Sequence, residues 1–569
     1  MKLRSLAVLS LASLTVTAGI QAQQTTPYSW GHGPVKHVLL ISVDGMHAVD
    51  FQNCAKGVAS VSNGAPYCPN LAALLATGVN YTAANTPKPS DSFPGLMSIV
   101  TGATPRTLGV YYDVAYDRSL DAPAKTTGNG VAAGPCTAGG APTGTRTEYE
   151  EGIDLDQTKL NGGAAGASLT DGTIASIDSK RLPRDPARGC APVFPWQFVR
   201  TNTIFGVIHD AGGYTAWSDK HPAYSSVAGR SGPGALDDFY APEINSSVVA
   251  LPGVQTPTGI SCATVPDPGS DLTAWTNSFQ NIQCYDQLKV NAILNQIRGR
   301  THDGKPAKVP TIFGMNFQAV SVGQKLNETS NSMKGGYLDG AGTPSTALLT
   351  EFQFVDDSIG AFVNEIKDRG LWDSTLIIIS SKHGQNPIDP NFYNPILNNG
   401  TSPATILDNA GLIPFSEAPS NPTGIGPTED DISLLWLKKS SDTETAVGLL
   451  EQNIKAAGIG EIFYGPALSI NYNTPGLGAG LDPRTPDIIV TPNVGVVYTG
   501  STKKQEEHGG FNHDDTNVIL LASYPGFTPH TVYSSVGTNQ IAPSILYALG
   551  IDPSKLDGVR WEGTEILPY

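Results

Sequence analysis

Two short apolar runs constrain the fold of this 569-residue chain more than any other feature. Residues 37–43 read HVLLISV, and residues 376–380 read LIIIS. Short runs that are rich in β-branched residues and lack polar alternation are typical of strands buried on both faces, as in a parallel sheet. We therefore expect a central sheet whose middle strands are covered on both sides.

Helical patterns alternate with further strand patterns along the chain. Apolar spacing and helix-ending glycines predict helices at residues 69–77, 94–101, 345–369, 443–457 and 541–549. Further strands are predicted at residues 79–85, 203–208, 309–320, 432–437, 487–490 and 518–522. Strands that alternate with helices indicate an α/β fold, with a mostly parallel central sheet flanked by helices.

Glycine and proline are concentrated in two stretches rather than spread evenly. The chain has 62 Gly and 43 Pro, and only 15% of its residues are charged. Residues 113–200 and 222–305 have a loop-like composition, and we interpret them as long insertions. We expect residues 30–569 to form a single domain that carries these insertions.

The first 22 residues have the pattern of a secretory signal peptide. Lys2 and Arg4 form a basic start, and the apolar stretch 6–20 is too short to span a membrane. Ala18 and Ala22 are small residues that suit cleavage. A buried first helix is the alternative, but neither a cap nor an amphipathic pattern supports it. We therefore expect a secreted or periplasmic protein.

Six cysteines favour three disulfides in an exported chain. They are Cys54, Cys68, Cys136, Cys190, Cys262 and Cys284. Six cysteines allow 15 pairings, so the sequence does not determine the connectivity. The simplest expectation is that each cysteine pairs with its nearest neighbour along the chain.

Net charge and hydropathy exclude two classes of protein. The formal charge of −16 argues against a general nucleic-acid binder. No internal run of 18 or more apolar residues is present, which argues against an integral membrane segment in the mature chain.

A polar residue with metal-binding chemistry follows each of the two apolar runs within a few positions. Asp44 comes after the first run, and His383 comes shortly after the second. Because the carboxyl ends of parallel strands meet at one edge of a sheet, we expect both side chains at the same rim. A carboxylate and an imidazole there could bind a metal ion, although Asp44 could also cap a turn and His383 could be a hydrogen-bonded rim residue.

Three further segments carry candidate chemistry. Ser92 precedes Phe-Pro at the start of a predicted helix, where the positive helix end favours an anion, although a simple N-cap is equally consistent. Ser90 and Asp91 compete for the same role. His508 lies in a loop crowded with histidine and aspartate, and Lys220-His221 forms a third polar cluster that could also be a solvated turn.

In order and spacing, these segments resemble the alkaline phosphatase superfamily, and within it the type I phosphodiesterase/nucleotide pyrophosphatase branch. The segments that carry the resemblance are HVLLISVDGM, PKPSDSFPG, SIVTGATPRTLGV, SSKHG, EHGG and TNQIAPSILYALGI. The resemblance implies a metal-dependent phosphoric ester hydrolase that acts on a small anionic ester, including possible nucleotides. The predicted domain would then be a hydrolase-type catalytic domain.

Carried over by position, the resemblance implies that Ser92 is the nucleophile. It implies that Asp44, Ser92 and His383 surround one divalent metal, and that His508 binds a second. Zinc is the expected metal, with one or two ions. Lys220 and His221 fall where sulfatase relatives carry an oxyanion-binding Lys-x-His.

Several positions depart from the family pattern. Lys382 replaces an Asp ligand, Val320 and Gln324 stand at the expected Asp and His positions, and Gly95 replaces an Asn. We expect Lys382 to contact the phosphate instead. These departures leave two alternatives open: a single-metal sulfatase- or phosphonate hydrolase-like enzyme, and a non-catalytic binding protein. The formylglycine type of sulfatase is disfavoured, because Leu96 stands where its motif requires Arg.

Overall fold

The computed structural model describes most of the chain. The described residues are 35–127, 130–149, 174–244, 254–262, 276–328, 332–397, 400–414, 428–501 and 504–569. The signal peptide predicted for residues 1–22 lies outside them and stays a prediction. Among the described residues, no helix combines the length and the apolar character that a membrane span requires.

The centre of the molecule is an eight-stranded sheet. Its strands lie in the order His530–Val532, Gly78–Tyr81, Leu521–Ser523, Thr375–Ser380, His37–Val43, Ile312–Phe317, Ala216–Ser218 and Asp238–Tyr240. Seven strands run in one direction, and Leu521–Ser523 is antiparallel to both of its neighbours. The predicted α/β class with a mostly parallel central sheet is therefore confirmed.

Alternate residues of the middle strands enter two separate cores. In the strand His37–Val43, Val38 and Leu40 contribute to one core, while Leu39 and Ile41 contribute to the other. Because successive side chains of a strand point to opposite faces, a strand covered on both sides needs apolar residues at every position. This is the physical reason for the continuous apolar run.

Helices cover both faces of the sheet. The helices Ser92–Thr101, Ile204–Asp210 and Ile541–Ala548 contribute to the first core. The helices Ala48–Lys56, Pro69–Leu74, Phe279–Ile297 and Thr346–Asp368 contribute to the second. Further helices are Pro105–Leu108, Pro195–Phe198, Ala319–Lys325, Pro403–Asn409, Thr443–Glu451, Gly465–Asn471, His513–Thr516 and Asp557–Glu562.

A second sheet, with four antiparallel strands, is formed by residues 428–492. Its four strands are Thr428–Glu429, Ser433–Leu435, Ile488–Pro492 and Ile459–Tyr464, in that order. Short strand pairs are Ala84–Asn85 with Val536–Gly537, Val114–Asp117 with Thr145–Glu148, Arg184–Asp185 with Ala191–Pro192, Asn327–Glu328 with Met333–Lys334, and Asn394–Ile396 with Val496–Tyr498.

The structure differs most from the predicted elements at three places, and the helix predicted at residues 443–457 ends at Glu451. The predicted strand 203–208 is wrong, because the helix Ile204–Asp210 lies there, capped by the Thr203 side chain, which accepts from the backbone of Gly206. The predicted strand 309–320 ends at Phe317, and a helix begins at Ala319. Within residues 222–305, which the sequence predicts to be loop-like, the structure contains Asp238–Tyr240, an edge strand of the large sheet, and the 19-residue helix Phe279–Ile297.

The three disulfides join nearest neighbours along the chain. They are Cys54–Cys68, Cys136–Cys190 and Cys262–Cys284. The simplest pairing is thus confirmed. The bond Cys136–Cys190 closes the longest loop, with a sequence separation of 54. A loop of that length gains the most in the chain-entropy description of disulfide stabilisation.

Candidate active site

Ser92 is the first residue of a fully buried helix. The helix runs from Ser92 to Thr101, and the Asp91 carboxylate caps it by accepting from the Phe93 backbone N–H at 3.1 Å. The Ser92 hydroxyl therefore lies at the positive end of a helix dipole, which favours negative charge on its oxygen or on a bound group.

A glycine lets this helix pack against the segment that follows the strand Thr375–Ser380. A Cβ added at Gly95 would lie 2.1 Å from the carbonyl oxygen of Lys382. Any side chain at this position would collide with that backbone. The helix that begins at Ser92 and the segment that carries His383 are therefore held in direct main-chain contact.

Two side chains contact the Ser92 hydroxyl. Lys220 Nζ donates to Ser92 Oγ at 3.1 Å, and His383 Nε2 lies 3.2 Å from the same oxygen. The ammonium group has no lone pair to accept a proton, so the Ser92 hydroxyl accepts from Lys220. It is then left to donate toward His383.

His383 is held as a neutral imidazole. Its Nδ1 lies 2.9 Å from the carbonyl oxygen of Gly384, which assigns the ring proton to Nδ1 and the lone pair to Nε2. Burial lowers the pKa of His383 to about 3. The lone pair on Nε2 is therefore available near neutral pH, and it faces Ser92 and Asp44.

Asp44 lies at the end of the strand His37–Val43, as predicted. Its Oδ2 accepts from Gln318 Nε2 at 2.6 Å and from Asn316 Nδ2 at 3.1 Å, and it lies 3.8 Å from His383 Nε2. Burial opposes ionisation, but the positive charge of Lys382 nearby keeps the pKa of Asp44 below its usual value. The other oxygen, Oδ1, is buried and has no hydrogen-bond partner among the described residues.

Lys382 is completely buried beside two carboxylates. Its Nζ lies 3.0 Å from Asp219 Oδ1 and 4.0 Å from Asp44 Oδ2. The same ammonium lies 3.8 Å from the centre of the Tyr224 ring. The residue that departs from the family pattern thus places a fixed positive charge next to Asp44.

His221 does not contact Ser92 in the described structure. Its Nδ1 lies 2.7 Å from Glu243 Oε1, and its ring stacks on Tyr224 with centroids 6.2 Å apart. Burial lowers the pKa of His221. It lines a cavity together with Lys220, so it lies beside the group of contacts around Ser92 rather than within it.

His508 packs edge-on against His383, with ring centroids 3.9 Å apart. Burial lowers the pKa of His508 well below its usual value, so it too is neutral. One ligand atom from each of His508, Asp430 and Glu507 falls within 4.8 Å of the others. Lys504 and Lys325 both pair with Glu507, so positive charge already reaches this cluster.

Sequence reasoning missed the residues that hold Asp44. Val320 is a buried residue of the core, and Gln324 hydrogen-bonds Tyr337 at 2.7 Å and the backbone of Gly45 at 2.8 Å. The side chain that faces Asp44 is Gln318 instead. Asn316 and Gln318 lie two residues apart at the end of a strand, and this spacing was the signal that both side chains point to one side.

The donor set fits one divalent metal. Asp44 offers an oxygen without a partner, His383 offers a neutral lone pair, and Ser92 offers its hydroxyl oxygen. For the second ion, the resemblance implies an Asp and a His where Val320 and Gln324 stand, and the carboxylates that lie beside His508 are Asp430 and Glu507 instead. Lys382 and Lys220 also supply positive charge that a second ion would otherwise provide.

Comparison with known proteins gives one family and one fold. A model of the type I phosphodiesterase / nucleotide pyrophosphatase family matches residues 38–145 and 335–515. The structure of murine ectonucleotide pyrophosphatase / phosphodiesterase 5 superposes with a TM-score of 0.52 at 13% identity, covering 94% of this chain and 100% of that one. An inactive variant of the same murine protein, in complex with AMP, gives the same values. No curated protein sequence matches the chain.

Proposed function

Because the chain belongs to the type I phosphodiesterase / nucleotide pyrophosphatase family, we propose that it hydrolyses a phosphodiester or pyrophosphate bond with Ser92 as nucleophile. Family and fold support phosphoric ester hydrolysis in general. The observation that carries the finer proposal is the pair of contacts on one buried hydroxyl, from Lys220 at 3.1 Å and His383 at 3.2 Å.

In the proposed reaction, Ser92 Oγ attacks phosphorus. The Oγ–P bond forms as the bond from phosphorus to the leaving oxygen breaks, and the leaving oxygen takes a proton from solvent. The Ser92 hydroxyl proton passes to water, while Lys220 stabilises the developing negative charge on Oγ. Water then attacks the phosphorus of the Ser92 ester, the Oγ–P bond breaks to release the phosphate product, and Ser92 Oγ regains a proton from solvent.

Lys382 has a separate role in this proposal. Its buried ammonium lies 4.0 Å from the Asp44 carboxylate, which itself lies 3.8 Å from His383 Nε2. A fixed positive charge in a site without water stabilises an oxyanion more strongly than it would in bulk solvent. Lys382 would thus take over part of the electrostatic role of the missing carboxylate-bound metal.

We also propose that Asp44, Ser92 and His383 hold one divalent metal, with zinc favoured by the carboxylate and imidazole donors. When bound, such an ion lowers the pKa of a coordinated hydroxyl and neutralises charge on phosphoryl oxygens. The buried, unpartnered Oδ1 of Asp44 supports this assignment.

The metal proposal predicts about one ion per chain. Elemental analysis of the purified protein should give a metal content near one, and Asp44→Asn should reduce it at least tenfold. The matched control is Asp430→Asn, which alters the surroundings of His508 and should keep the ion. Two ions per chain, or an ion that survives Asp44→Asn but not Asp430→Asn, would show that the metal binds elsewhere.

Covalent trapping tests the proposed nucleophile directly. After a short incubation with bis(4-nitrophenyl) phosphate and an acid quench, mass spectrometry of the peptides should find a phosphoryl adduct on Ser92. The same protocol applied to Ser92→Ala should find none. An adduct on another residue, or turnover with direct release of product and no adduct at any time, would contradict the proposal.

Substrate and location extend the proposal. The AMP complex of the murine protein makes a nucleotide ester one candidate substrate. The three disulfides are those expected of a protein that folds in an oxidising compartment, so we propose export to the periplasm or the medium.

A further inference from the structure

A buried pair of ionisable side chains lies behind the residues that hold Asp44. Asp286 and Lys289 are on the helix Phe279–Ile297, and neither side chain is exposed. Lys289 Nζ lies 2.9 Å from Asp286 Oδ1. A buried ion pair is by itself weak evidence of stabilisation, so the other contacts of the two residues decide what they do.

Asp286 caps a helix in a distant part of the sequence. Its Oδ2 accepts from the backbone N–H groups of Gln318 and Ala319, at 2.7 and 2.8 Å. These groups lie at the start of the helix Ala319–Lys325, where backbone N–H groups have no partner within the helix. An N-cap side chain often satisfies them, but Gln318, at the N-cap position, makes no such bond. Asp286 takes over the capping in its place.

Because Asp286 caps this helix, the side chain of Gln318 is available to contact Asp44. Gln318 Nε2 donates to Asp44 Oδ2 at 2.6 Å. Lys289 holds the adjoining strand end, since its Nζ donates to the carbonyl oxygen of Asn316 at 2.6 Å. Asn316 Nδ2 donates to the same oxygen of Asp44 at 3.1 Å. Each member of the pair therefore holds the main chain of a residue whose amide contacts Asp44.

These contacts do not depend on which member of the pair carries the proton. Burial raises the pKa of Asp286 and lowers that of Lys289, and each group partly offsets the shift of the other. A proton on Asp286 Oδ1 still leaves Oδ2 able to accept from the backbone, and a neutral amine still donates to the carbonyl of Asn316.

From this geometry we infer that Asp286 and Lys289 are positioning residues for Asp44, acting through Gln318 and Asn316. By holding both amides on Oδ2 they fix the direction of the carboxylate. They thereby leave Oδ1, which has no hydrogen-bond partner among the described residues, available to the proposed metal ion. Groups that orient a metal ligand in this way typically change metal affinity about 10- to 100-fold. This inference rests on the proposed function and adds two residues to its site.

Replacing Asp286 tests the inference through metal affinity. Asp286→Ala should weaken zinc binding at least about tenfold, measured by competition with a chromophoric chelator. Its kcat/KM for bis(4-nitrophenyl) phosphate should fall at low zinc and largely recover at saturating zinc, which a merely structural defect would not do. Asp286→Asn should lose less affinity, because its amide oxygen can still accept from the backbone.

Asp356→Ala is the matched control. Asp356 is also buried, and its carboxylate also caps a distant helix, accepting from the backbone N–H groups of Asn70 and Leu71 at 3.1 and 2.7 Å. This variant should lose stability in urea denaturation as Asp286→Ala does, because both leave backbone N–H groups unpaired. It should nevertheless bind zinc as tightly as the wild type.

A double variant separates positioning from general destabilisation. Gln318→Met removes the amide that contacts Asp44, so it should weaken zinc binding by itself. Adding Asp286→Ala should then weaken binding little further, because the route through Gln318 is already broken. Two losses of affinity that simply multiply would contradict the inference.

The outcomes distinguish the inference from the proposed function. A folded Asp286→Ala protein with the zinc affinity of the wild type would overturn the inference and leave the proposed function standing. If Asp286→Ala does not fold, the nearly isosteric Asp286→Asn decides in the same way. A wild-type protein that binds no zinc and does not hydrolyse bis(4-nitrophenyl) phosphate would overturn the proposed function itself.

Discussion

Replacing Ser92 with alanine is expected to lower kcat for a chromogenic phosphodiester at least about a thousandfold. The change removes only the oxygen that would form the bond to phosphorus, while Lys220 and His383 keep their other contacts. Steady-state kinetics measures the loss, and circular dichroism with thermal unfolding verifies that the variant folds.

Ser90→Ala is the control for that prediction. Ser90 lies two residues away in the same loop, but its hydroxyl donates to the backbone oxygen of Asp515 at 2.6 Å and not toward the proposed metal donors. We expect this variant to keep its activity within about tenfold of the wild type. A folded Ser92→Ala protein with normal turnover, or a larger loss in Ser90→Ala, would reassign the nucleophile.

The second large effect is expected on stability. Lys382→Met should lower the free energy of unfolding by about 3–5 kcal/mol, because it leaves the buried carboxylates of Asp219 and Asp44 without their nearest positive charge. Urea denaturation followed by tryptophan fluorescence measures the change. Lys439→Met, at an exposed position, should change the free energy by less than about 0.5 kcal/mol.

A double variant separates the charge from the packing. If the loss in Lys382→Met comes from the unpaired carboxylate, adding Asp219→Asn should restore part of it, and the two changes should be clearly non-additive. A loss below about 1 kcal/mol in Lys382→Met would mean that the pair with Asp219 contributes little to the fold.

The parts of the fold that were predicted correctly depend on local patterns. The strand His37–Val43 and the helix Thr346–Asp368 agree closely with the expected ranges, since apolar runs and helical spacing are properties of neighbouring residues. The segment 203–208 was predicted wrongly because a short apolar run fits a strand or a buried helix equally well. In the structure the segment is a helix whose first turn is capped by the Thr203 side chain.

The candidate site was likewise predicted only where local patterns in the sequence were sufficient. Asp44 and His383 were expected at one rim because both follow predicted strands, and their side chains lie 3.8 Å apart. The partners of Asp44 and Lys382 were not foreseen. Gln318 and Asp44 are 274 residues apart in the sequence, and Asp219 and Lys382 are 163 residues apart. Local patterns in a single sequence do not predict contacts between residues so far apart.

The close approach at Gly95 has a consequence for how much the chemistry of this site can vary. Since the helix that begins at Ser92 meets the main chain of Lys382, direct contact between the two main chains sets the spacing between Ser92, the proposed nucleophile, and His383. Side chains on either segment can then be exchanged without moving this frame. Lys382, which by resemblance stands where the family carries a metal-binding carboxylate, would be one such exchange: the proposed site keeps its dimensions while the source of its positive charge changes.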